Sequence, residues 1–195
     1  MRACGLFETF STSNAAGRPQ YRYAPAASVG SDLSATIVVH HDGMDQRLVG
    51  CRGNVNFIWS AAGPVIAEFT FRGQLTTEAE TARGTATFAE VIPPRWIDSG
   101  SIIVDSFCLD AENLNLNTNN TLYEQRSPCA SSGSGILQVI VTERNPGGSF
   151  DPAATRTNTY DMLAKWRSAS ESVLRLNAGI NQGNQFTINS SMMIH

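Results

Sequence analysis

LSATIVVHHDGMDQRLVGCRGNVNFIW, residues 33–59, is the stretch that decides the fold. Its first part, Leu33 to His41, is rich in β-branched residues, whose stiff side chains suit a pleated strand. Asp42-Gly43 follows, a dipeptide that accepts the positive φ angles of a two-residue hairpin turn. Gln46-Arg47-Leu48-Val49 is then the return strand. Two glycines close together in Gly50-Cys51-Arg52-Gly53 predict a bulge or a close backbone approach, letting the chain turn directly into the next strand. That strand is Val55-Asn56-Phe57-Ile58-Trp59.

The same grammar continues on both sides. Tyr21-Arg22-Tyr23-Ala24-Pro25 alternates and ends at a proline. After the break Ala62-Gly63-Pro64 comes Val65 to Gly73, where Ala67, Phe69 and Phe71 alternate with Glu68, Thr70 and Arg72, the mark of a half-buried strand. Further strands are predicted at Ser101 to Asp110, Leu114 to Leu116, Thr121 to Tyr123, Ile136 to Thr142, Val173 to Leu176 and Gln185 to Met193, with a polar loop at Ser127 to Gly135. One helix is expected: Asp151 suits an N-cap, Pro152 the first helical position, and Tyr160, Leu163, Trp166 and Ala169 recur at helical spacing to face a sheet. The expected architecture is mainly β, an antiparallel β-sandwich or barrel with one packed α-helix, as a single domain over residues 1–195 without internal repeats.

Between Leu75 and Gly100 these signals fade; Thr, Ala, Glu and Gly dominate, and Pro93-Pro94 stiffens the exit. So long an irregular stretch predicts an intersubunit arm or long loop at about 76–100, with Phe88, Val91, Ile92 and Trp96 as its contacts to a neighbour. Composition points the same way. Hydrophobic residues make up 42% of the 195 and charged residues 16%, against about 25% in ordinary domains, which suits a surface that ends against other subunits. A formal charge of −3 offers no basic footprint for reading nucleic acid. Met1 to Leu6 lacks the charged and apolar segments of a secretion signal, and no apolar run approaches the roughly 20 residues that span a bilayer. The expectation is a soluble oligomer made in a cytoplasm.

Catalytic and metal-binding patterns are sparse. His40 and His41 are consecutive on a strand, so they point to opposite faces and do not share a metal; His195 stands apart. Cys4, Cys51, Cys108 and Cys129 have no zinc spacing and read as buried or idle reduced thiols, although Cys108 and Cys129 flank one hairpin and leave a disulfide open. Asp110 with Glu112 or Glu143 is the kind of carboxylate pair that hydrolyses glycosides, but 17 acids make such pairs common. Trp59, Trp96 and Trp166 are conceivable as a sugar platform, with Trp166 better read as core. Neither an enzyme nor a cofactor or metal site is expected. The sequons at Asn119 and Asn189 carry no meaning without secretion.

Several of these segments, taken in order, resemble the tail tube proteins of long, non-contractile-tailed bacteriophages. They are Ala3-Cys4-Gly5-Leu6, Tyr21-x-Tyr23-x-Pro25, Asp42-Gly43, Leu48-x-Gly50-Cys51-Arg52-Gly53-Asn54-Val55-x-Phe57, Glu68-Phe69-x-Phe71-x-Gly73, and Val141 to Pro152 leading into a Trp-bearing helix. The likeness covers most of the chain and is weakest at 76–100. It implies a ring-forming virion subunit, stacked in hexameric rings as a tube, partnered by itself and other tail proteins. Genomic DNA would pass through the lumen without specific binding, and no membrane is involved. Family members carry residues before the first motif and a closing strand after the counterpart of Met192-Met193, so a short member or part of a longer product is expected. Tail terminator or head–tail connector proteins, and a β-sandwich module binding carbohydrate or a receptor, are the competing expectations.

Overall fold

The computed structural model describes residues 1–11, 20–25, 33–60, 63–80, 87, 101–130, 135–153, 156–157, 159–179 and 185–193. A 3-10 turn at Arg2–Cys4 opens the chain. The strands are β1 (Leu6–Ser11), β2 (Gln20–Pro25), β3 (Ala35–His41), β4 (Met44–Ser60), β5 (Ile66–Glu80), β6 (Ser101–Val104), β7 (Phe107–Leu109), β8 (Ala111–Asn117), β9 (Asn120–Arg126), β10 (Ile136–Arg144), β11 (Gly147–Pro152), β12 (Glu171–Ala178) and β13 (Phe186–Met193). A helix, α1, spans Met162–Ser168. Among the described residues the fold is therefore mainly β with antiparallel sheets and one α-helix, consistent with the β-sandwich expected.

Two compact units form, each from three separate stretches. The first comprises Met1–Asn56, Glu68–Phe88 and Asn117–Gly147; the second comprises Phe57–Ala67, Ala89–Leu116 and Gly148–His195.

In the first unit β4 is central, with β3 and β5 as neighbours. Asp42 and Gly43 both take positive φ, 46° and 81°, so the β3–β4 turn forms as its sequence predicts. The glycine cluster acts differently from expectation. The chain does not turn there, and β4 runs straight through as one 17-residue strand. The bulge is real: Ile37 faces Leu48 while Ala35 faces Cys51, so Thr36 alone opposes Val49 and Gly50, and Gly50 takes φ 62°. A Cβ on Gly53 would collide with the Thr70 carbonyl, and one on Gly73 with the Cys51 sulfur, so these glycines let β4 and β5 approach. Strand β5 continues to Glu80, past the Gly73 limit read from sequence; there the Thr76 hydroxyl donates to the Arg47 carbonyl.

A hydrogen-bonded knot ties this unit together. Asn120 is buried, and its Nδ2 donates to the Cys4 and Gly53 carbonyls, both at 2.9 Å. Asn54 Oδ1 accepts from the Asn120 N–H and from the Thr118 hydroxyl. Arg52 Nη1 donates to the Val139 carbonyl at 2.6 Å. A buried amide with both donors satisfied secures its partners, because losing either would strand a polar group away from water.

The second unit is built on the sheet β13–β12–β6–β7. Leu176 pairs with Ile102 and Ile102 with Leu109, giving a buried row across three strands; Leu174 and Val104 form the next. Phe57 and Trp59 meet the Phe186 ring at 5.4 and 6.0 Å. The predicted strand Ser101 to Asp110 is in fact the hairpin β6–β7, turned at Asp105 and Ser106 with φ 52° and 94°. No glycine marks that turn, which hides it from a sequence reading.

The helix departs most from expectation. Asp151 and Pro152 end β11, and the Asp151 carboxylate accepts from the Asn113 backbone and side chain. The true N-cap is Asp161, whose side chain accepts from the Ala164 N–H at 2.9 Å. No helix residue is buried, and Leu163 and Trp166 are 58% and 52% exposed, so the stripe expected to face a sheet faces outward.

Candidate subunit interface

The described residues singled out as catalytic candidates are divided between the two units. His40 and His41 lie on β3 on opposite faces, with His40 Nδ1 against the Asp45 carboxylate at its paired position. His195 is outside the described residues. Asp110 and Glu112 line an open cleft of about 440 Å³ with Asp151 in the second unit. The Asp151 carboxyl is held below its ordinary range by the Asn113 side-chain and backbone donors. Glu143 belongs to the first unit. Trp59 is buried and Trp166 is not the core residue expected, while Trp96 lies outside the described residues. The same holds for Phe88, Val91 and Ile92, so the contacts proposed for that arm are not described. Cys4 and Cys51 are buried, and burial pushes both thiols up; Cys108 and Cys129 are exposed, and all four are free. Among the described residues no group of His, Cys, Asp or Glu is arranged to hold a metal, and no helix is long and apolar enough to cross a membrane.

What the fold does present is apolar surface on regular elements. In the first unit, β3, the start of β4 and the end of β5 form a three-stranded arm. No residue of β3, of Met44–Gly50 in β4, or of Arg72–Glu80 with a described side chain in β5 is buried. Register sorts its faces. Ile37, Val39, His41, Met44, Gln46 and Leu48 lie on one face; Val38, His40, Asp45 and Arg47 lie on the other. The bulge gives the first face its meaning. With one extra residue at Val49-Gly50, the row Met44, Gln46, Leu48 continues in phase as Cys51, Gly53, Val55, the buried row. One face thus begins in the core and runs out into solvent, where its apolar members Val39 and Met44 are 44% and 41% exposed. Glu78 reaches this face, accepting from Gln46 Nε2 at 3.3 Å.

In the same unit, the ribbon β1–β2 exposes the Phe10–Tyr21 pair, ring centroids 5.0 Å apart, with the Tyr23 hydroxyl donating to Glu8 at 2.6 Å.

In the second unit, α1 is held by its polar side. Lys165 Nζ sits 2.7 Å from Asp105 Oδ2, and Asp105 Oδ1 accepts from the Val173 N–H at 2.8 Å. The Lys165 ammonium, then the Val173 donor, lower the Asp105 pKa to about 2. Tyr160, just before the helix, stacks on Phe107 at 5.0 Å. This clasp turns Leu163, Trp166 and Arg167, which share a face at i, i+3 and i+4 spacing, toward solvent.

Sequence periodicity flagged the Leu163–Trp166 stripe but not the side it faces. For the arm's exposed row the sequence offers only the alternate apolar residues Ile37 and Val39 of β3, whose exposure it does not reveal. No protein-family model, curated protein or solved structure matches the chain.

Proposed function

We propose that this chain is a structural virion protein, a ring-forming subunit of the tail tube of a long-tailed bacteriophage and part of the conduit through which the genome is ejected. The observation that carries the reading is the face of the β3–β4–β5 arm that extends the core row beyond the bulge and leaves its apolar members Val39 and Met44 uncovered. Such a face is stable in water when another subunit covers it. The motifs behind the resemblance support the same reading, since they are architectural: Cys4, Arg52, Gly53 and Asn54 all enter the hydrogen-bonded knot. A tube through which DNA slides needs walls that do not bind phosphate, and a chain with 17 acids against 14 bases suits that need. The subunit acts by association, with its own copies and other tail proteins as partners.

Electron microscopy of the purified protein tests this. Long hollow cylinders are the expected result. Single rings that never stack would assign the chain to the tail terminator or connector, and particles that stay monomeric would leave a binding module.

A further inference from the structure

We propose, building on the self-assembling reading above, that the tip of the β3–β4–β5 arm of one copy seats on the outward face of α1 in a second copy. The two surfaces are complementary in charge. The arm offers Val39 and Met44 with the Glu78 carboxylate on the same face. The helix offers Leu163 and Trp166 with the Arg167 guanidinium beside them. His41 and Gln46 complete the arm's face as neutral polar neighbours, so each surface carries two exposed apolar side chains and one formal charge, and the charges are opposite.

The charge on each side is available for this use. Lys165, the other base of the helix, is engaged by Asp105. Arg167 has no ion-pair partner among the described residues, and Glu78 has a neutral one, Gln46. A guanidinium–carboxylate pair with its surroundings dried by apolar neighbours attracts more strongly than the same pair at an open surface. Symmetric pairing is disfavoured: arm on arm would oppose Glu78 to Glu78, and helix on helix Arg167 to Arg167. The contact is therefore head-to-tail. Different patches meet, each copy keeps one of each free, and association propagates into a closed ring or a filament.

Charge reversal in the full-length protein tests it, with circular dichroism to show that both variants keep the fold and sedimentation to read assembly. Glu78→Lys and Arg167→Glu alone should each raise the concentration needed for assembly at least about ten-fold. Mixed in equal amounts they should co-assemble, because the reversed arm of one fits the reversed helix of the other. The double variant should assemble alone. Assembly of either single variant at the wild-type concentration, or no recovery in the mixture, overturns the contact while leaving the tube reading intact. A wild-type protein that stays monomeric overturns both.

Discussion

Trp59 and Trp166 carry the same side chain to opposite ends. Trp59 is 1% exposed on the alternating row of β4, whereas Trp166 is half exposed on a helix that buries nothing. Trp59→Ala should therefore cost about 3–5 kcal/mol in urea unfolding, the usual range for emptying a buried aromatic site. Trp166→Ala should stay within about 0.5 kcal/mol, as for an ordinary surface change, and yet impair assembly. Asp105 is the second residue whose loss is specific. Its carboxyl titrates at about 2, against an ordinary 3.8, so its contribution is complete above about pH 4 and disappears as pH falls through about 2. The side chain is 28% exposed, and solvent screening brings that contribution to about 1 kcal/mol. Asp105→Asn, which keeps a residue tolerant of positive φ, should lower stability by that amount at pH 7. It should also flatten the acid limb of the stability profile between about pH 4 and 2.

At the scale of elements, legibility followed local chemistry. The β3–β4 hairpin was readable because Asp42-Gly43 meets the turn's φ requirements without help from the rest of the chain. The β6–β7 turn was not, because Asp105 and Ser106 hold positive φ through the clasp with Val173 and Lys165, a tertiary effect. Asp151-Pro152 carries a genuine helix-start signature, but Asn113 on β8 claims the carboxylate that would have capped a helix. Asp161 caps instead, with no proline to advertise it. The candidate interface was half legible: spacing reveals the Leu163–Trp166 stripe, while its outward aim depends on the Asp105–Lys165 ion pair. The bulge at Gly50 yields a prediction of its own. Removing that residue puts the tip of β4 out of phase with the core row, moving Met44 to the polar face. The deletion variant should keep a β-rich circular dichroism spectrum while electron microscopy finds no cylinders.

At the scale of the whole molecule, each unit draws on three stretches of chain, so no single cut separates them in sequence. The exposed thiols fall one to each unit, Cys129 in the first and Cys108 in the second, while Cys4 and Cys51 are buried. Alkylation of the native protein should add two labels by intact mass, and four after unfolding in denaturant. A mass two protons lighter that reduction restores would instead reveal a disulfide. The in-phase row on the arm also sets a rule for how far apart bound copies can stand. Side chains alternate along a strand, so only changes of two residues per strand leave Val39 and Met44 on their present face. Each such change moves the tip by about 7 Å, so the reach of this subunit can be lengthened or shortened only in rungs of that size, like notches on a ruler.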